Sequence, residues 1–148
     1  MSTPTFAPES KVRRITVIGD DMLVRITGRE TGNTVSLFEQ RTNPGGGVPM
    51  HVHDREDELF QVLSGNVEFT IGGANGTSFV AKPGDNVWGP RRVPHAWKVI
   101  GNEQARVLVI ATPSGLEDMF EALSKLPPGP PDFAKVAEIC GRFGVRFA

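Results

Sequence analysis

The chain contains three histidines, and all three fall in one pattern. His51-Val52-His53 is followed by Glu58 in an H-x-H-x4-E arrangement, and His95 follows later. Imidazole nitrogens and a carboxylate oxygen are the donors that borderline first-row metals prefer. Alternate residues of a strand face the same way, so His51 and His53 can reach one ion from one strand. Three imidazoles and one carboxylate around an octahedral ion leave two positions open for water, dioxygen or a bidentate substrate. That arrangement is catalytic rather than structural. The rival for an isolated His-x-His is a pair of surface histidines; the following carboxylate and the third histidine argue against it. Glu56 and Asp57 are competing carboxylates, and both are expected to be solvated turn residues.

Positioning these groups calls for several strands. β-type runs cut by glycine and proline are expected at 12–18, 22–27, 34–40, 59–63, 66–71, 78–81, 86–88, 96–100 and 106–111. Ser64-Gly65 reads as a tight hairpin turn between two of them. Short strands with evenly spaced turn signals predict an all-β sandwich or barrel. Val107-Leu108-Val109-Ile110 is apolar on both parities, which suits a strand between a lumen and a second layer.

After residue 112 the period changes. Ser114-Gly115-Leu116-Glu117 has the form of a capping box. Leu116, Met119, Phe120, Leu123 and Leu126 then recur at helical spacing. Pro127-Pro128-Gly129-Pro130-Pro131 ends that helix, and Asp132 can cap a second one carrying Phe133, Val136, Ala137 and Cys140 on one face. Gly144 is the expected C-terminal stop. The divisions expected are a flexible arm over 1–11, a barrel over 12–112 and a helical extension over 113–148. The extension reads either as two amphipathic helices covering the outside of the sheet or as a lid or dimerisation element.

Lys plus Arg number 16 and Asp plus Glu 17, so no basic stripe suits nucleic acid. Cys140 stands alone and reads as a small apolar residue. No run approaches the roughly 18 apolar residues of a membrane span, and the N-terminus lacks a signal-peptide pattern. A single cytoplasmic domain acting on a small molecule is expected.

The residues resemble the cupin superfamily. Gly45, His51, His53, Glu58 and Gly65 match its first motif at every spacing, and Gly84, Pro90 and His95 match its second. The sequence departs from the second motif at Arg92, where the pattern has glycine, and at Val99, where it has asparagine. The chain looks most similar to small single-domain, quercetin dioxygenase-like cupins, through Pro44-Gly45-Gly46-Gly47, Glu56-Asp57-Glu58-Leu59-Phe60 and Val93-Pro94-His95-Ala96. The resemblance implies a double-stranded β-helix, or jelly-roll barrel, with the two short C-terminal α-helices as an addition. It also implies one divalent transition metal (Fe, Mn, Ni, Cu, Co or Zn) on His51, His53, Glu58 and His95. The chain has no tyrosine, so the His–Tyr acid–base pair of cupin sugar epimerases is missing.

Strand parity places Phe60, Val62, Trp97 and Val99 in the lumen with the ligands. Met50 lies next to the first histidine, and Trp88 is a further candidate; core packing is the alternative for both tryptophans. An apolar, partly aromatic wall around one metal suits a phenolic or enolic substrate. By resemblance the expected activity is a dioxygenase, with Glu58 both ligand and general base. The alternatives are a small-molecule binding or sensing module and a metal-dependent decarboxylase or isomerase. A homodimer is expected, because the run 12–18 has no evident partner within the minimal barrel and an open strand edge invites another chain.

Overall fold

Period-two alternation is strong enough in this chain to fold nearly half of it into two antiparallel sheets. The structure is a computed structural model that describes residues 3–148, so the first two residues of the expected arm lie outside the described residues. One sheet has six strands in the order β1 (Arg13–Val17), β2 (Asp20–Ile26), β3 (Ser36–Thr42), β10 (Ala105–Thr112), β5 (Asp57–Ser64) and β8 (Asn86–Gly89). The other has five, ordered β11 (Val145–Phe147), β4 (Gly47–His53), β9 (His95–Ile100), β6 (Asn66–Ile71) and β7 (Thr77–Ala81). This is the expected all-β jelly-roll barrel. Among the described residues three α-helices accompany it: α1 (Gly28–Thr31), α2 (Leu116–Ser124) and α3 (Phe133–Arg142).

The core lies between the sheets. Phe38, Phe60, Phe69, Val62, Val67, Val99 and Val107 are almost fully buried. Phe60 and Phe69 pack with centroids 5.2 Å apart, and Phe69 reaches Trp97 at 6.3 Å. Burying such a side chain is worth roughly 1.5–3 kcal/mol. On β10, Val107, Val109 and Ala111 face inward, while Leu108 and Ile110 stay half-buried on the outer face.

Three expectations are corrected. Ser64-Gly65 is not a hairpin turn: β5 pairs with β10 and β8, whereas β6 pairs with β9 and β7. The glycine turns a corner between sheets, with φ 77° and its Cα so near the chain that a Cβ would lie 2.8 Å from Ala105 Cα. A glycine signals that the chain reverses, but not which strand it then meets. The N-terminal run also finds a partner in its own chain. β1 pairs with β2 around Ile18 and Gly19, both with positive φ, as a two-residue hairpin requires. Ahead of it, Glu9–Lys11 form one 3-10 turn, and Glu9 meets Arg25 at 2.6 Å.

The third correction concerns the tail. α2 and α3 pack over the mouth of the barrel rather than its outside: Phe120 meets the inward Phe38 edge-on at 4.9 Å. Glu117 does not cap its own helix; it accepts hydrogen bonds from the Gly28 N–H and the Ser36 hydroxyl, at 3.0 and 2.6 Å. Asp132 does cap α3, accepting from the N–H groups of Ala134 and Lys135. Beyond α3 the chain does not end as helix. Val145–Phe147 form β11, which joins the five-stranded sheet beside β4. Among the described residues no helix is long and apolar enough to cross a membrane.

Candidate metal centre

Strand register brings the histidines together. His51 and His53 point inward from β4, and His95, the first residue of β9, stands directly opposite His51 across the ladder. Glu58 comes from β5, so the carboxylate faces the three imidazoles from the other sheet. The His51 and His95 rings are 4.3 Å apart by centroid, and those of His51 and His53 are 5.0 Å apart. One donor atom from each of the four residues falls within 4.8 Å of all the others, and all four side chains are buried.

Hydrogen bonds aim the donors. His51 Nδ1–H donates to the Pro49 carbonyl at 2.8 Å, which leaves Nε2 as the free lone pair. His53 Nδ1 sits 3.3 Å from Glu56 Oε2 and donates to it in the same sense. His95 turns Nε2 toward Glu58 Oε2 at 3.1 Å, while His53 Nε2 lies 3.4 Å from Oε1. A histidine ligand that donates its second N–H to a carbonyl or carboxylate is held in the metal-binding tautomer. The donor set therefore fits one divalent transition metal.

Electrostatics agree with that fit. Burial, helped by the neighbouring His95, pushes the His51 pKa down to about 4, so this imidazole is neutral. Burial works the same way on His53, but Glu58, Glu56 and Asp54 outweigh it and the pKa rises. Burial would raise Glu58; the three surrounding imidazoles prevail and bring it to about 2, so it stays ionised. An ionised carboxylate buried among neutral or cationic imidazoles is suited to neutralising a cation.

One of the two competing carboxylates differs from expectation. Glu56 is not a solvated turn residue; it is 5% exposed and orients His53. The signal available in the sequence was its position three residues after His53, within reach of that ring. Asp57 does face out, where Arg91 donates to it from its backbone N–H and its guanidinium. At the motif departure, Arg92 adopts φ 66°, so the turn keeps its left-handed geometry without glycine. Its N–H donates to the His53 carbonyl at 2.7 Å.

A cavity of about 270 Å³ opens onto His51, His53 and Glu58. Phe60 and Trp97 line it, as parity suggested. Val62 and Val99 are buried in the core but are not on its wall. Met50 lies on the opposite parity of β4 and does not reach it. Trp88 is 53% exposed, because Val87 and Gly89 are the inward residues of β8. Much of the remaining wall comes from the C-terminal extension: Met119, Phe120, Leu123, Phe133, Val136 and Phe147. Cys140 also lies there, its thiol pushed up to about 11 by burial, as an apolar wall residue would be. A larger open cleft of about 1050 Å³, between the arm, α1 and α2, contains none of the four candidate ligands.

Comparison with known proteins follows the same lines. A family profile described as the cupin domain matches residues 38–111. KdgF from a Halomonas species is 18% identical with TM-score 0.66, over 78% of this chain and 99% of that one. A predicted oxalate decarboxylase from Thermotoga maritima is 22% identical with TM-score 0.62, over 73% of this chain and 98% of that one. The iron(II) protein HppE is 11% identical with TM-score 0.63, over 73% of this chain and 60% of that one. No curated protein sequence matches this chain.

Proposed function

The chain belongs to the cupin family, and on that premise we propose that it is a metal-dependent dioxygenase. Its substrate would be a small, apolar, phenolic or enolic molecule. One observation carries this reading: the cavity that opens onto the candidate ligands is mostly apolar and aromatic, and among the described residues no lysine or arginine lines it. A doubly charged acid such as oxalate, named for one structural neighbour, would enter that wall without a cationic partner.

His51, His53, Glu58 and His95 would hold one divalent transition metal, whose identity among Fe, Mn, Ni, Cu, Co and Zn the ligand set leaves open. When bound, it supplies Lewis acidity toward a substrate oxygen and affinity for dioxygen. Phe60 and Trp97 offer flat faces to an aromatic or enolic ring. Glu58 accepts the substrate's acidic proton on a carboxylate oxygen, leaving an enolate or phenolate for dioxygen to oxidise. α2 and α3 keep water from the reacting face.

The test is oxygen uptake by metal-quantified protein with a panel of β-diketones and phenols. Uptake stoichiometric with substrate loss is expected, with both oxygen atoms in product. Glu58→Gln should lower turnover by roughly 10²–10⁴-fold, more than it lowers metal content. Carbon dioxide release without oxygen uptake would favour a decarboxylase; binding without turnover would favour a sensing module.

A further inference from the structure

The geometry points to Asp20 as a second recognition group in the metal cavity, one that selects substrates carrying a hydrogen-bond donor away from their metal-binding end. This rests on the reading of the cavity as the substrate site. Among the lining residues, Asp20 is the one acid outside the candidate ligand set. It lies at the start of β2, just after the Ile18-Gly19 turn, and no cupin motif residue falls there.

Its hydrogen bonds are lopsided. Gln40 Nε2 donates to Asp20 Oδ2 at 2.9 Å, and the Thr42 hydroxyl donates to the same oxygen at 2.7 Å. Among the described residues, Oδ1 receives no hydrogen bond. Two neighbouring side chains thus fix the carboxylate's orientation and leave its other oxygen without a bond, on a residue that lines a cavity otherwise mostly apolar. Burial also pushes the Asp20 pKa up, a cost that a bond holding β2 to β3 does not require. A substrate hydroxyl or ammonium reaching Oδ1 would offset that cost, and a molecule without a donor would leave the carboxylate unpaired. Asp20 is half-buried, and a ligand that shuts water out of the cavity without supplying a donor leaves its free oxygen unpaired, which is what gives polar sites their discrimination.

The probes are hydroxamates, which chelate metals through one end. Protein loaded with cobalt(II) is titrated with benzohydroxamate and its 3- and 4-hydroxy and 3- and 4-methoxy derivatives, and the visible absorption of the metal is followed. One hydroxy derivative is expected to bind roughly tenfold more tightly than its methoxy counterpart. In Asp20→Asn, the amide oxygen takes over the bonds from Gln40 and Thr42, and the amide N–H turns into the cavity. A hydroxyl accepts that N–H as a methoxy oxygen does, so the hydroxy preference should shrink to near parity, while benzohydroxamate itself binds as before. Asp20→Ala should abolish the preference too. Equal affinity for hydroxy and methoxy probes in the unaltered protein overturns the role of Asp20 and leaves the cavity reading intact. Absence of any spectral response to benzohydroxamate overturns the cavity reading and this inference with it. A uniform loss of affinity for every probe in both variants would assign Asp20 to strand pairing alone.

Discussion

At the scale of single residues, the site depends on side chains that never touch the metal position. His51 is tied back by the Pro49 carbonyl, which its own strand supplies. His53 depends instead on Glu56, a buried carboxylate whose one side-chain hydrogen bond among the described residues is to that ring. Removing such an orienting partner typically costs 10–100-fold in metal affinity. We therefore expect Glu56→Ala to weaken metal binding by roughly that factor in a chelator competition, with the fold intact. The His51→Ala/His53→Ala double variant should instead lose stoichiometric metal altogether while keeping a β-type circular dichroism spectrum. Normal metal content in that double variant would remove the basis for the site. A Glu56→Ala protein with unchanged affinity would show that packing alone orients His53.

At the scale of elements, the C-terminal extension is part of the site. β11 places Val145 opposite His53 and Phe147 opposite His51 in the sheet register. Phe147 then packs against Phe133 of α3 at 5.0 Å, so strand and helix close one wall together. The short strand is pinned by Arg146, which donates to Asp54, and by Gly144, whose carbonyl accepts from the Asp54 N–H. Gly144 suits its place doubly: φ is 77°, and a Cβ there would press on the Arg55 side chain at 3.2 Å. Removing residues 144–148 should expose the cavity. In a Trp88→Phe background Trp97 is the one remaining tryptophan and is 4% exposed in the intact fold. Its quenching by acrylamide should rise several-fold in the shortened chain, and unchanged quenching would mean that the helices close the cavity without β11.

At the scale of the whole molecule, two features of the outer surface make separate predictions. Glu39 is 1% exposed on the outer side of β3 and accepts hydrogen bonds from Arg25, Arg41 and Arg106. Burial alone would raise its pKa, but the three guanidinium groups prevail and hold it at about 2, below the usual 4.5. A depressed carboxylate stabilises the fold fully above its unfolded pKa, and that contribution is lost as pH falls from about 4.5 toward 2. Glu39→Gln should destabilise the protein by about 2 kcal/mol at pH 7 in urea unfolding, and by clearly less at pH 3. A gap that does not shrink with acid would contradict the ion-pair account.

The second feature is a row of apolar residues across the six-stranded sheet. Ile110 is flanked by Leu37 and Leu59, and Leu59 by the exposed Trp88. With β1 already paired inside its own chain, this face is the better basis for the expected homodimer. Sedimentation at micromolar concentration should show a dimer, converted to monomer by Ile110→Glu with Trp88→Glu. A monomer in the unaltered protein would leave the row as ordinary exposed surface.

His51 and His53 were legible in the sequence because a local rule governs them, and Glu58 and His95 because the motif spacing includes them. Alternation along β4 puts His51 and His53 on one side whatever the rest of the chain does. The barrel, the Asp132 cap and the lumen positions of Phe60 and Trp97 followed from the same short-range periodicities. What parity cannot state is where the cavity ends, so Val62 and Val99 share the ligands' face but lie in the core beyond its wall. Met50, named for its place beside His51, and Trp88 lie on the outer faces of their strands. Glu56 looked like a turn residue because its burial comes from long-range packing around His53. The Ser64-Gly65 corner looked like a hairpin because the partners of β5 and β6 lie on different sheets. Most of all, only tertiary structure could bring the last residues of the chain beside His51 and His53. A three-residue strand is too short to declare itself by period, and its place depends on a ladder with β4, about ninety positions earlier.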